Sequence, residues 1–535
     1  MKTAVAADTI PGLFIATVRR RRHQPALAVL VGGKLKWHTW EYLGEAVEAR
    51  AIDFTNRGIG PGDLVVQIGP NSIEWIVNDM AMHYVGAVHV PLPATLSKEQ
   101  RRELIKHSGA KHVIELDKRA NNLQFASRSS VRIGKYIPPA SVCNPDSLAT
   151  ILYTSGTTGA PRGVMLTQEN IVSNTLALSE AVGSRNELRL VVLPFSHIYA
   201  RTCDLYSWIQ RGSRLVLGEQ RETFIRDCQL VKPLVINAVP YLYQKLVDLA
   251  DGDCESNSPA DDVTTDIEPR KTIRELLGGR VARCYCGGAA LASCVVERFA
   301  EENIPLLPGY GLTEASPVVT VPSHLEFSPS TVGRPLANLD VEVADDGEVL
   351  VRGPSVMQGY WRNKEATADV LRDGWLHTGD LGQWDEEGRL SITGRKKEMM
   401  ALSTGKKIAP SAIEALICAS PWIEQAVVIG EGRTHLSAII VPNPKRIKGE
   451  IRKQRLFVWS KKRGVSHPKI RKIIQRELEC CLADLPPYQQ VAKFVVIGRG
   501  FSIEQGEMTP KLSLRREAIE KSFAREIEGM YNGKG

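Results

Sequence analysis

Residues 153–164, which read YTSGTTGAPRGV, are rich in glycine and hydroxyl side chains and carry the clearest chemical signal in the chain. Apolar runs at 148–152 and 164–166 flank them, a pattern that predicts a strand, a tight polar loop and a second strand. Glycine permits positive φ and close approach to a ligand, and consecutive N–H groups with hydroxyls form a concave anion site. The sequence therefore predicts a polyphosphate-binding loop. It is not the common G-x-x-x-x-G-K-S/T loop, because no Lys-Ser/Thr pair follows the last glycine.

Three further motifs combine residue types that suit nucleotide chemistry: LPGYGLTEAS at 307–316, WLHTGDLG at 375–382 and TGRKKE at 393–398. Glu314 in the first supplies a carboxylate, and a carboxylate together with phosphate oxygens is a ligand set that suits Mg²⁺. Asp380 in the second supplies one carboxylate, which can accept hydrogen bonds from ribose hydroxyls. Arg395 in the third supplies a guanidinium for oxygen ligands.

Together these motifs resemble those of the adenylate-forming superfamily, which contains acyl-CoA synthetases, peptide-synthetase adenylation domains and luciferases. With VKP at 231–233 and VPYLY at 239–243, the chain looks most similar to the long-chain fatty acyl-CoA synthetase branch, and the similarity extends over nearly the whole chain. The family usually has lysine where this chain has Arg162. Both side chains are cations that can hold phosphate, and arginine can do so through two parallel hydrogen bonds.

The resemblance implies roles for individual residues. Those expected to hold the phosphates of ATP are Thr154, Ser155, Gly156, Thr157, Thr158, Gly159 and Arg162. Those expected to hold the nucleoside are Gly287, Gly288, Ala289, Tyr310, Gly311, Asp380 and Arg395. By the same resemblance, Thr313 contacts the α-phosphate and Glu314 binds Mg²⁺. His197, in the LPFSHIY motif at 193–199, lines or gates the site of the substrate carboxylate together with Tyr199.

The C-terminal motif departs from the family pattern at one decisive position. The long-chain branch carries a catalytic lysine that stabilises charge as pyrophosphate leaves, but here that position is Ser513 and the nearby lysine is Lys511. In an extended segment, residues two apart point to the same face about 6.5 Å apart, so Lys511 is our candidate for this role. The alternative is that adenylation is weak or lost and the protein binds nucleotide and acyl ligands without catalysis.

Short apolar runs alternate with helical periodicity over the first 300 residues, which argues for a parallel α/β architecture. The strand candidates are 64–68, 88–91, 112–116, 190–193, 215–217 and 234–239, and the helix candidates include 73–85 and 169–182. Runs at 341–343 and 348–351 flank a hairpin turn, which indicates a β-rich part after residue 331.

We therefore predict an α/β fold with two domains. Residues 1–395 form a large N-terminal AMP-binding domain of parallel-sheet α/β subdomains plus a β-rich subdomain. Residues 396–535 form a small mobile α+β C-terminal domain, and the resemblance implies that it rotates about a hinge near Lys397 between two half-reactions.

The net charge of +8 is concentrated in residues 445–476, which hold thirteen Lys/Arg and one acidic residue. This segment is interpreted as a patch for coenzyme A phosphates or for an anionic membrane surface, or else as a solvated helix face. Only two aromatic residues interleave with the charges, so no nucleic-acid partner is expected. No run of 18 apolar residues and no export signal is found, so we expect a cytoplasmic protein, with peripheral contact at the inner face of a membrane as an alternative.

The resemblance predicts an ATP-dependent ligase. A fatty acid of medium to long chain, ATP and Mg²⁺ would give acyl-AMP and pyrophosphate, and coenzyme A would then give acyl-CoA and AMP. No insertion follows the hinge between residues 395 and 414, which favours coenzyme A as the acceptor over an acyl carrier protein. Loading of a carrier protein and a non-catalytic binding protein remain the two alternatives.

Overall fold

The computed structural model describes residues 8–117, 144–154, 161–183, 187–219, 222–251, 271–289, 291–323, 328–454, 467–502, 504–508 and 514–532. The N-terminal part of the chain is built on two large sheets. The first has seven strands and is parallel throughout, except for an antiparallel hairpin at one edge. Its order is Leu306–Pro308, Arg283–Cys286, Val235–Ala238, Leu188–Val191, Arg214–Leu217, Pro25–Val31 and Lys34–Thr39.

The second sheet has six strands, in the order Gly359–Tyr360, Arg162–Thr167, Leu148–Thr154, Val88–Leu92, Leu64–Ile68 and His112–Glu115. Its first three strands pair antiparallel and its remaining pairs are parallel. The largest hydrophobic core joins side chains from both sheets, including Val29 and Leu217 of the first sheet and Val65 and Val164 of the second. The two sheets are therefore held together by shared apolar packing.

A β-rich part follows. Tyr310–Gly311, Val318–Val321 and Arg334–Pro335 form a small sheet. A five-stranded antiparallel sheet contains Asp340–Val343, Glu348–Arg352, Leu371–Arg372, Trp375–Trp384 and Leu390–Arg395.

The C-terminal part is α+β. Strands Ile423–Ile429, Leu436–Pro442 and Val491–Val496 form one sheet, and Met400–Ala401 pairs with Lys407–Ile408. One core, which includes Ile413 and Ile474, covers one face of the three-stranded sheet, and a second, which includes Ile519 and Ile527, covers the other. Successive buried side chains of Ile423–Ile429 and Leu436–Pro442 point to opposite faces of the sheet, which accounts for both cores.

The helices are Ile10–Arg21, Trp40–Asn56, Ile73–Val85, Lys98–Ser108, Gln168–Val182, Ile198–Ala200, Ser207–Arg211, Phe224–Val231, Pro240–Ala250, Ile273–Leu276, Ser293–Glu301, Lys364–Val370, Pro410–Cys418, Pro444–Lys453, Pro468–Cys481, Arg516–Ser522 and Ala524–Tyr531. A π-helix spans Arg201–Tyr206, and 3₁₀ turns lie at Thr313–Ala315, Lys396–Glu398 and Pro487–Gln489. No helix within the described ranges is both long enough and apolar enough to cross a membrane.

The predicted α/β class is confirmed, and several elements match to within two residues. Helix 73–85 has the predicted bounds because Ser72 caps its first turn, accepting the N–H of Trp75, and Gly86 ends it in the left-handed conformation. The strand expected at 190–193 is shifted and runs Leu188–Val191. The domain boundary at residue 395 and the rotation near Lys397 stay predictions.

Candidate active site

The mouth of the predicted phosphate loop is a β-hairpin. Strands Leu148–Thr154 and Arg162–Thr167 pair antiparallel, and the last pair is Thr154 with Arg162. Of the loop residues themselves, Ser155, Gly156, Thr157, Thr158 and Gly159 lie outside the described residues. The structure thus places the two ends of the loop side by side.

Arg162 lies beside an aromatic ring that the sequence analysis did not single out. Its guanidinium carbon is 5.2 Å from the centroid of the Tyr360 ring, within the range of a cation–π contact. The Tyr360 hydroxyl donates a 2.9 Å hydrogen bond to Oε1 of Glu314, and burial raises the pKa of this tyrosine. Arg162, Tyr360 and Glu314 therefore form one cluster that joins the phosphate hairpin to the predicted magnesium ligand.

A second cluster joins the predicted nucleoside residues. The Tyr310 hydroxyl donates to Oδ2 of Asp380 at 2.8 Å, and Nε of Arg395 lies 3.0 Å from Oδ1. Asp380 and Arg395 are direct partners across neighbouring strands, which explains their contact. Asp380 is 5% exposed, and burial raises the pKa of its carboxyl, although Arg395 and Tyr310 act in the opposite direction. Three residues from three separate motifs thus meet at one carboxylate.

Gly311 is required by close backbone packing. A Cβ at this position would lie 2.0 Å from the carbonyl oxygen of Pro317, closer than atoms can approach. The same oxygen accepts the N–H of Leu312 at 2.9 Å, which fixes the turn between Tyr310 and the 3₁₀ turn Thr313–Ala315. Thr313 is half-buried at the start of that turn. The glycine therefore lets the chain fold back tightly between the aromatic ring and the predicted phosphate and metal ligands.

The predicted adenine-side wall packs against the predicted acyl motif. Gly287 follows the strand Arg283–Cys286, and a Cβ on it would lie 3.1 Å from the ring of Tyr199. Gly288 has φ +85°, and the exposed Ala289 follows it. The Tyr199 hydroxyl is buried without a hydrogen-bond partner among the described residues, and burial raises its pKa. The small residue at 287 thus brings the two predicted sites into contact.

His197 is exposed and immediately precedes the short helix Ile198–Ala200, which continues into the π-helix Arg201–Tyr206. Its backbone carbonyl accepts the N–H of Arg201 at 3.1 Å. π-helical turns occur frequently at functional sites. The predicted gate residue therefore stands at the N-terminal end of an irregular, buried helix.

A fully buried polar network, which was not predicted from the sequence, underlies this helix. Arg201 binds the Asp79 carboxylate and donates to Thr150 Oγ1 at 2.8 Å, while the other Asp79 oxygen accepts the Tyr206 hydroxyl at 3.1 Å. Nδ1 of His89 lies 2.6 Å from Asp79. Burial opposes ionisation of Asp79, but Arg201, His83 and His89 together outweigh it and hold the pKa of this carboxyl well below its usual range. The network ties the π-helix to the helix Ile73–Val85 and to two strands of the second sheet.

Asp204 is a second buried acid on the π-helix. Its Oδ1 accepts a 2.6 Å hydrogen bond from Nδ2 of Asn237 and lies 3.6 Å from Nη1 of Arg189, whereas its Oδ2 has no hydrogen-bond partner among the described residues. Burial raises the pKa of this carboxyl to about 7, against the opposing effect of Arg189. Asp204 is therefore a group whose charge changes near neutral pH.

The predicted hinge follows the nucleoside cluster directly. Lys397 is exposed within the 3₁₀ turn Lys396–Glu398. Its neighbour Lys396 is bound by two carboxylates, with Nζ 2.6 Å from Oδ2 of Asp346 and 2.8 Å from Oε2 of Glu348. The chain is thus anchored by an ion pair immediately before the predicted hinge residue.

The catalytic-lysine candidate Lys511 and the Ser513 position lie outside the described residues. Met508 and Leu514, which flank them, pair as an antiparallel bridge, and the N–H of Arg515 donates to the carbonyl of Glu507 at 2.7 Å. No cluster of three metal-ligating side chains occurs among the residues whose placement is described.

Comparison with known proteins decides the family. The AMP-binding enzyme model matches residues 14–361, and the AMP-binding enzyme C-terminal domain model matches residues 397–535. The chain belongs to the AMP-binding enzyme family. The predicted membership of the adenylate-forming superfamily is thereby confirmed.

Relatives of this AMP-binding enzyme include named ligases. The long-chain-fatty-acid–CoA ligase FadD15 of Mycobacterium bovis is 30% identical, and the alignment covers 91% of each chain. The feruloyl-CoA synthase of an Amycolatopsis species is 29% identical over 86% of this chain and 94% of the relative. Among solved structures, the anthranilate CoA ligase AuaEII in complex with anthranoyl-AMP is 15% identical, covers 96% of this chain and 97% of its own, and superposes with a TM-score of 0.75. That structural likeness confirms the fold.

Proposed function

We propose that this AMP-binding enzyme is an AMP-forming acid–thiol ligase that converts a fatty acid of medium to long chain into its coenzyme A thioester. A carboxylate oxygen of the acid attacks the α-phosphorus of ATP, and pyrophosphate leaves to give acyl-AMP. The thiol of coenzyme A then gives up its proton and attacks the acyl carbonyl, and AMP leaves. One observation carries this proposal: Tyr310, Asp380 and Arg395 converge in a chain that is 30% identical, over 91% of its length, to a named long-chain-fatty-acid–CoA ligase.

Asp380 is proposed to bind the ribose hydroxyls. Tyr310 and Arg395 each hold one of its two carboxylate oxygens, so the group is fixed in orientation before the nucleotide arrives. A carboxylate oxygen can accept more than one hydrogen bond, which leaves capacity for the ribose. Arg395 is 54% exposed at its side chain and can therefore also reach an oxygen of the nucleotide. Preorganisation of this kind reduces the ordering cost of binding.

The phosphates are proposed to lie against Arg162 and the loop 155–159, with Thr313 at the α-phosphate. Glu314 fits a Mg²⁺ ion, because Tyr360 binds its Oε1 and no protein group among the described residues binds its Oε2. Mg²⁺ is commonly held by one or two carboxylates and the phosphates of its substrate. When bound, the ion would neutralise phosphate charge. Tyr360 fixes the rotation of the carboxylate by its hydrogen bond.

Lys511 is proposed to stabilise the negative charge that develops on the α-phosphate as pyrophosphate leaves. The proposal rests on its position two residues before Ser513, since a lysine side chain can span the distance between such positions in an extended segment. A preorganised cation at that point contributes a large catalytic effect. The second candidate function is a non-catalytic nucleotide- and acyl-binding homologue, and Ser513 is the observation that favours it.

The acyl group is proposed to lie near His197 and Tyr199. Tyr199 contacts Gly287 of the nucleotide wall, so the acid would meet the α-phosphate where these elements join. Relatives named for long-chain fatty acids and for ferulate indicate two substrate classes to compare. We propose the fatty class, because relatives named for long-chain fatty acids recur in several organisms.

Coenzyme A is the proposed acceptor, and a carrier protein is the alternative. The thirteen Lys/Arg residues of the segment 445–476 are proposed to attract the phosphates of coenzyme A or an anionic membrane surface. In the described helices Pro444–Lys453 and Pro468–Cys481, apolar residues such as Ile447 and Ile474 are buried, while the basic side chains that the structure describes, such as Arg446 and Lys472, are exposed. Such a charged face attracts anions within a screening length of about 8 Å at physiological salt.

Pyrophosphate release from ATP tests the proposal, measured with short-, medium- and long-chain acids and with ferulate. Lys511→Ala is compared with Lys521→Ala, a matched change of another C-terminal lysine. We expect release with medium- and long-chain acids, which Lys511→Ala abolishes and Lys521→Ala preserves. Release that survives Lys511→Ala would assign the charge-stabilising role to another cation. ATP binding without release for any acid would reject the ligase and leave the non-catalytic alternative.

A further inference from the structure

Glu348 connects the nucleoside cluster to the hinge through a single buried carboxylate. It begins the strand Glu348–Arg352 and is 5% exposed. Its Oε1 accepts the backbone N–H of Gly379 at 2.9 Å, and its Oε2 lies 2.8 Å from Nζ of Lys396. Gly379 immediately precedes the ribose candidate Asp380, and Lys396 immediately follows its partner arginine. One side chain thus binds the neighbours of both members of the Asp380–Arg395 pair.

The contacts of Glu348 require its negative charge. Nδ1 of His377 also lies 3.3 Å from its Oε2, so three donors surround a group that is almost entirely removed from water. Burial opposes its ionisation, but Lys396, Gly379 and His377 together lower the pKa of this carboxyl. A buried carboxylate paired in this way is rigid, because releasing any donor leaves charge without compensation.

Lys396 completes the arrangement from the hinge side. Its ammonium is shared between Glu348 and Asp346, and Asp346 in turn accepts the N–H of Glu348 at 3.1 Å through Oδ1. The side chain of Lys396 is 45% exposed and that of Glu348 is 7% exposed, so the buried carboxylate is held by an accessible ammonium group. A change at the hinge can therefore reach the loop of Asp380 through two contacts.

We propose that Glu348 is a positioning residue for the ribose carboxylate, which it aims through Gly379, and that Lys396 couples this position to the hinge. The inference rests on the proposed function of Asp380. It assigns to Glu348 no contact with substrate. Loss of the Glu348 charge allows the loop 378–380 to relax, so that the protein discriminates less well between nucleotides with and without ribose hydroxyls.

Direct binding of AMP and of 2′,3′-dideoxy-AMP tests the proposal by titration calorimetry on the full chain, without any turnover. In the wild type, AMP should bind more tightly because only AMP presents ribose hydroxyls. Glu348→Gln should weaken AMP binding about tenfold, which corresponds to one charge-assisted hydrogen bond, and should leave dideoxy-AMP almost unchanged. Glu342→Gln, at an exposed position on the neighbouring strand, serves as the control.

Lys396→Ala should show part of the loss in AMP affinity. Lys396→Arg should bind AMP about as tightly as the wild type, because arginine keeps the cation. A merely structural role for Glu348 would weaken both nucleotides equally or lower the melting temperature with the AMP-to-dideoxy-AMP ratio intact, and either result would overturn the proposal. Failure of the ligase function is a separate outcome: the calorimetric ratio would still respond to Glu348→Gln when no acid supports pyrophosphate release.

Discussion

Neutralising Asp380 gives a quantitative test of how the nucleoside is bound. In Asp380→Asn the side chain keeps its size and one carbonyl oxygen, but loses the charge that Tyr310 and Arg395 now hold in place. A hydrogen bond to a charged group contributes about 1.5–3 kcal/mol and a neutral one about 0.5–1.5 kcal/mol. Two ribose hydroxyls that change from a charged to a neutral acceptor therefore lose about 2–3 kcal/mol in total. Since 1.4 kcal/mol corresponds to a factor of ten, the expected loss is about 30- to 150-fold.

The assay for this change is acid-dependent exchange of pyrophosphate into ATP, with kcat and KM determined for ATP and for 2′,3′-dideoxy-ATP. The loss should appear in KM for ATP and should be small for the dideoxy nucleotide. Glu386→Gln, an exposed residue at the turn of the same hairpin, is the matched control and should behave as wild type. An equal loss with both nucleotides, or a loss confined to kcat, would refute the assignment of Asp380 to the ribose.

Three further predictions concern the neighbouring features. Gly311→Ala should lower the melting temperature and abolish ATP binding, because the added Cβ would lie 2.0 Å from a carbonyl oxygen. Gly449→Ala, where the added Cβ has no neighbour within 4 Å, is the control and should have neither effect. A stable, ATP-binding Gly311→Ala protein would contradict the packing argument. Tyr360→Phe removes the donor to the Glu314 carboxylate, and we expect the Mg²⁺ concentration for half-maximal pyrophosphate exchange to rise at least about 10-fold, as for one hydrogen bond to a charged group; an unchanged Mg²⁺ titration would count against Glu314 as the ligand. Burial raises the pKa of Asp204 to about 7. The protonated carboxyl therefore contributes about 4 kcal/mol to the free energy of unfolding below about pH 4, and this contribution is lost as the pH rises to about 7. Urea unfolding at pH 5 and pH 8 should therefore show a smaller pH dependence in Asp204→Asn than in wild type, and equal pH dependence would contradict the buried, protonated acid.

The parts of the fold that the sequence predicted are those set by local pattern. The helix 73–85 carries its own start and stop signals in Ser72 and Gly86, and the hairpin strands 341–343 and 348–351 flank a glycine turn. The strand expected at 190–193 instead runs from 188 to 191, because apolar residues continue into the loop after it. Local signals of this kind fix the element and its type better than its ends.

The nucleoside cluster was predicted as a set of residues but not as a geometry. Tyr310, Asp380 and Arg395 were assigned from separate motifs, and only the pairing of strands shows that one carboxylate contacts both other residues. Tyr360 was missed, although its aromatic side chain follows a glycine, because nothing in the local sequence indicates that it reaches Glu314, 46 residues earlier.

The buried Asp79–Arg201 network could not be predicted for a related reason. The two residues are 122 positions apart, and each lies in a segment whose local pattern is that of an ordinary helix. A charged residue in an apolar helix indicates a buried partner, but the identity of that partner follows only from the way this helix and the π-helix pack together. The π-helix likewise has no signature in sequence periodicity. Contacts between residues this far apart in the chain cannot be predicted from local sequence patterns.

The measurement that tests the central claim most directly is a single-turnover reaction of enzyme in excess over ATP, quenched and analysed by mass for acyl-AMP. A medium- or long-chain acid is supplied first without coenzyme A, and coenzyme A is then added to the same mixture. The account predicts acyl-AMP in an amount that follows the ATP supplied, and its conversion to acyl-CoA and AMP on addition of the thiol. Bound ATP that yields no acyl-AMP with any acid, in a folded protein, would contradict it.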